Sequence, residues 1–82
     1  MSTVPFERIT LNPKIMAGKP VIRGTRIPVE LIVRMLSQGI SDEEILREYP
    51  SLSHDDIRAA LAYAAVVLAG EDVFPILATV AT

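Results

Sequence analysis

The stretch Gly39-Ile40-Ser41-Asp42-Glu43-Glu44-Ile45, answered a few residues later by Leu52-Ser53-His54-Asp55-Asp56-Ile57, decides the fold of this chain. Ser41 and Glu44 have the spacing of a capping box. The Ser oxygen accepts from the backbone N–H three residues on, and the Glu carboxylate accepts from the backbone N–H of the cap. Ile40 and Ile45 stand at the staple positions on either side. Ser53 and Asp56 repeat the device in a shorter form, with Leu52 and Ile57 as the second staple. Asp55 and Asp56 also suit the positive end of a helix dipole. Two helices therefore start in close succession, and Pro50 closes the first of them. The second is predicted to run to about Ala69, with Gly70 behind it as a stop.

Towards the N-terminus, Pro28 sits where another helix begins, with φ preset and no N–H to satisfy. Val29, Ile32, Val33 and Leu36 follow the i, i+3, i+4, i+7 spacing, with Glu30, Arg34, Ser37 and Gln38 opposite them. Gly39 ends this helix as its C′ residue. Three helices with short connections at the second and third make a helix-turn-helix arrangement.

Ahead of the helices, Ile9 to Leu11 alternates and Asn12-Pro13 interrupts it, which predicts a short edge strand and a turn. Lys19-Pro20-Val21-Ile22 reads as a second extended segment, Arg23-Gly24 as a tight turn, and Thr25-Arg26-Ile27 as the returning strand. In that register Ile22 faces Thr25 and Pro20 faces Ile27, while Val21 and Arg26 share the other face. The expected fold class is mainly α, a three-helix bundle preceded by a short β-strand and a β-hairpin. Residues 1–27 form the basic arm, 28–70 the bundle and 71–82 an apolar tail, in a single domain overall.

The hydrophobic fraction is 50% in only 82 residues, so much apolar surface is expected to meet another molecule. The chain has no Cys, which excludes a disulfide framework and a thiolate metal site. Residues 1–8 lack the form of a signal peptide, and no uncharged run in the second half approaches the ~18–20 apolar residues of a membrane span. The expected location is the cytoplasm. Net charge is -2, but it is polarised: residues 1–34 carry +4 and residues 35–82 carry -6. Such a molecule can offer one face to phosphates and repel them elsewhere.

The run Gly18 to Arg26 puts Lys and Arg on a protruding hairpin beside Gly-flanked amides, an arrangement suited to phosphate oxygens. The plainer reading is a solvated edge hairpin whose cations discourage aggregation. A phosphate-loop motif is excluded because Pro20 stands where Ser or Thr is required. The third helix would read bases through residues near its start. Here those are Ser53, His54, Asp55 and Asp56, which capping explains and a phosphate-lined groove would repel. Its later part, Ala59 to Ala69, has no charge on any face, so it is expected to be covered on more than one side. Either a partner or second copy covers it, or the tail and hairpin do. His54 has no second imidazole or thiolate to complete a metal site. No catalytic constellation is found, and neither an enzymatic activity nor a cofactor is expected.

The runs Ile9-Thr10-Leu11-Asn12-Pro13, Gly18 to Val29 (GKPVIRGTRIPV), Gly39-Ile40-Ser41 and Tyr49-Pro50-Ser51-Leu52-Ser53 resemble the bacterial domain of unknown function 433 family, over Ile9 to about Ala64. The resemblance implies a homeodomain-like three-helix bundle. It further implies a VapB-like antitoxin of a type II toxin–antitoxin pair, with a PIN-like ribonuclease as its toxin. Antitoxins of that kind pair DNA binding with toxin neutralisation, often as homodimers.

The expected function is thus antitoxin-like. Lys14, Lys19, Arg23, Arg26 and Arg34 would contact the phosphates of operator DNA. Leu61, Ala64, Ala65 and Leu68, with Val73, Phe74, Ile76 and Leu77 of the tail, would form the protein interface. The alternative is a protein-interaction or homo-oligomerisation module with no nucleic-acid role.

Overall fold

In a computed structural model, which describes residues 6–70, the chain is mainly helical with a two-stranded antiparallel sheet in front. A 3₁₀ turn at Phe6–Arg8 leads into β1 (Ile9–Leu11), and β2 follows at Pro20–Ile22. The helices are α1 (Val29–Ser37), α2 (Asp42–Glu48) and α3 (His54–Gly70). The fold class therefore agrees with the expectation.

The hairpin partner does not. β2 pairs with β1, with Ile9 opposite Ile22, Thr10 opposite Val21 and Leu11 opposite Pro20. The Arg23 N–H donates to the Arg8 carbonyl at 2.8 Å and extends this pairing. The Arg23-Gly24 turn closes as expected, with the Thr25 N–H donating to the Ile22 carbonyl at 2.9 Å, but the Ile22 N–H donates to the Ile27 carbonyl and the return reaches only an isolated bridge between Val21 and Pro28. The cause is the Thr25 hydroxyl. It donates to the Ile22 carbonyl (2.7 Å) and accepts from the Ile27 N–H (3.0 Å), taking up backbone groups that a ladder would need. The connection between the strands turns at Met16–Gly18 with φ of 51°, 58° and 84°, a left-handed path that only Gly18 adopts without cost.

The helix boundaries follow the sequence closely. Pro28 is the N-cap of α1, one residue ahead of the first helical position, and its carbonyl accepts the first helical N–H groups. α1 ends in a Schellman motif: the Gly39 N–H donates to the Leu36 carbonyl and the Ile40 N–H to the Met35 carbonyl, with Gly39 at φ 86°. Ser41 and Glu44 form the complete capping box of α2. Ser53 and Asp56 form its aspartate counterpart at 3.0 and 3.2 Å. The described part of α3 ends at Gly70, within one residue of the expected end.

The core joins Ile22 of β2, Val29, Ile32 and Met35 of α1, Ile45 of α2, Leu52 of the second staple, and Ile57 and Ala60 of α3. Met35 takes a buried place in α1, while Val33 and Leu36 are half-buried at its edge. Burying a side chain such as Ile32 or Ile57 contributes about 1.5–3 kcal/mol.

Candidate functional site

α3 has two unlike halves. In its first turns Asp56, Ile57, Ala59 and Ala60 are buried. Asp56 works twice: one carboxylate oxygen accepts from the Ser53 N–H, and the other accepts from the Arg8 guanidinium at 2.9 Å. Arg8 also lies 3.6 Å from Asp55, which Arg58 approaches to 3.3 Å. The acidic start of α3 is thereby neutralised within the chain by a residue 48 positions away, and it clasps the N-terminal turn to the bundle.

Beyond Ala60 the helix surfaces. Leu61 (44%), Val66, Val67 and Leu68 (68%) are exposed although no charge separates them. Leu61, Ala65 and Leu68 stand at i, i+4 and i+7 and make one apolar stripe. On the neighbouring side, α3 and α1 enclose a groove of about 530 Å³. Val29, Val33, Tyr63, Ala64, Val67 and Leu68 line it, and Lys19, Glu30 and Arg34 bring charge to it. Glu30 is shared: the Lys19 ammonium stands 3.6 Å from it and Arg34 pairs with it one helical turn on. Two cations thus face one carboxylate.

The expected phosphate ligands are dispersed. Lys19 and Arg34 meet on Glu30 beside the groove. Arg23 lines a recess with Glu7, Arg8 and Asp56, and Arg26 lines another with Thr10, Ile15 and Ser51. Lys14 sits on the turn after β1, where its N–H is held by the Asn12 side chain. Lys14, Arg23 and Arg26 are exposed and form no ion pair with another of the described residues. Of the expected protein interface, Leu61, Ala65 and Leu68 are exposed and Ala64 is half-buried in the groove. Val73, Phe74, Ile76 and Leu77 lie outside the described residues.

Two participants escaped the sequence reading. Arg8 carries no local signal, since its partner is remote in sequence. Glu30 and Arg34 have the i, i+4 spacing of an ion pair, which could have been read as one. His54 is exposed with its Nδ1 3.6 Å from Asp42, an ion pair only when the imidazole is protonated. Among the described residues no group of three or more His, Asp or Glu is placed to hold a metal ion, and no helix is long and apolar enough to cross a membrane.

Comparison with known proteins places these features. An uncharacterized protein of Sinorhizobium fredii, y4eO, is 43% identical over 58 residues, 71% of this chain but 26% of that protein. An uncharacterized protein of Archaeoglobus fulgidus is 59% identical over 30 residues, 37% of this chain and 83% of its own length. The crystal structure of a DUF433 member from Anabaena variabilis matches with a TM-score of 0.66 at 41% identity, covering 68% of this chain and 55% of that one. This chain thus spans about a quarter of the Sinorhizobium protein and about half of the Anabaena chain. The family model described as "Protein of unknown function (DUF433)" matches residues 9–64, from β1 into the exposed half of α3, and the chain belongs to that family.

Proposed function

We infer that this chain is an antitoxin-like interaction protein that engages a protein partner through the exposed half of α3 and nucleic-acid phosphates through the Arg23–Arg26 loop. The observation that carries the reading is the uncharged, solvent-facing run containing Leu61, Val66, Val67 and Leu68. A contiguous apolar patch on so small a domain signals a protein-binding surface. Family resemblance adds the class of partner, a PIN-like ribonuclease, with a second copy of this chain as a further occupant. Arg23 and Arg26 support the nucleic-acid arm because both are exposed and unengaged by carboxylates among the described residues.

The test is co-expression with the product of the adjoining reading frame, assayed for ribonuclease activity. A stable complex with suppressed ribonuclease activity is expected, and Leu61→Asp with Leu68→Asp releases the nuclease. Failure of the wild-type chain to form a complex overturns the toxin assignment. For the arm, affinity for the chain's own upstream DNA falls with salt, and Arg23→Ala with Arg26→Ala lowers the log–log slope by about 2, near 0.9 per lost phosphate contact.

A second reading, an interaction module without a nucleic-acid role, draws on the start of α3. Asp55 and Asp56 occupy the turn through which a recognition helix would approach base edges. Absence of DNA binding at low salt, with the partner complex intact, selects this reading.

A further inference from the structure

We propose that the groove between α1 and α3 is the seat of the chain's own segment Val73-Phe74-Pro75-Ile76-Leu77. This covers Val67 and Leu68 and leaves Leu61, Ala65 and Val66 of the same helix for a partner, and it is independent of the nucleic-acid reading.

Three observations converge on this occupant. The first is reach. The groove runs beside α1, whose Val29 to Ser37 span is about 12 Å at 1.5 Å per residue. Five extended residues span about 17 Å. Val67 and Leu68, at the α3 side of the groove, lie only a few residues before position 71, so Glu71 and Asp72 suffice for the reversal. The second is shape chemistry. Four of the five residues of the segment are large and apolar, matching a floor of Val29, Val33 and Val67. Phe74 precedes Pro75 and so favours extended backbone, and Pro75 has no N–H to leave unsatisfied against an apolar wall.

The third is charge. Glu71 and Asp72 follow the C-terminal end of α3, where the helix dipole disfavours anions, and the last turn of α3 holds no basic residue to offset them. The groove supplies what the helix lacks, since among the described residues Lys19 and Arg34 together share only Glu30.

The chain has no Cys, so a designed thiol pair reads this directly in the full-length protein. Val33→Cys with Phe74→Cys is expected to form an intrachain disulfide under mild oxidation at least tenfold faster than a control pair of Arg47→Cys with Phe74→Cys. A rate equal to the control overturns the proposal. A disulfide that links two chains also overturns it, because the segment then serves a second copy. Should the substitutions unfold the protein, nuclear Overhauser contacts between the Phe74 ring and the Val33 methyls of the unmodified chain decide the matter. Their presence at protein dilutions that preclude self-association supports the seat, and their absence rejects it.

Discussion

The two halves of α3 are made from similar residues and meet opposite fates. Ile57, Ala59 and Ala60 disappear into the core, whereas Leu61, Val66 and Leu68, no more polar, face solvent. What separates them is the length of what packs against the helix. β2, α1 and α2 close over the first half, whereas α1 flanks one side of the second and leaves a groove there, and among the described residues its other side stays open. Apolarity alone therefore does not define a core. In a domain this small, an uncharged helix longer than its neighbours becomes a surface.

Substitutions can break this contrast. Ile57→Ala leaves a cavity in the covered half and is expected to cost about 2–5 kcal/mol, read as a lowered denaturant midpoint with unchanged slope. Asp56→Ala removes the aspartate cap and strands Arg8, for an expected loss of about 2 kcal/mol, whereas Arg8→Ala, whose side chain is partly in solvent, costs less than ~1 kcal/mol. Equal losses from the two would show that the clasp matters more than the cap. Leu61→Ser, in the uncovered half, changes stability by no more than about 0.5 kcal/mol while weakening partner capture or self-association in sedimentation runs. A loss there as large as that of Ile57→Ala would mean that the second half is covered within the monomer after all.

Local devices were legible in the sequence because each is complete within a few residues. Ser41 with Glu44, Ser53 with Asp56, and Gly39 at C′ all form as their spacing implies. The partner of β2 was not legible. Thr25–Ile27 had the right composition and proximity for a returning strand, and the Thr25 hydroxyl diverted its backbone. The role of Arg8 was not legible either, since nothing within its own neighbourhood announces Asp56. For the site, the missing charges of Ala59 to Ala69 singled out this half of α3, but which of its residues stay exposed required the fold. The meeting of Lys19 with Arg34 on Glu30 required the fold, because β2 must first lie beside α1.

The left-handed turn at Met16 and Ala17 bears on how the molecule opens. Two side-chain-bearing residues held at positive φ each cost about 1–2 kcal/mol, and that cost works against the pairing of β1 with β2, which the connection must span. β2 is anchored by Val21 and Ile22 in the interior, whereas β1 contributes only half-buried or exposed side chains. Peeling of β1 is thus a low-cost partial unfolding of this domain, and amide hydrogens across that strand pair exchange with solvent well before those of the three helices' buried turns.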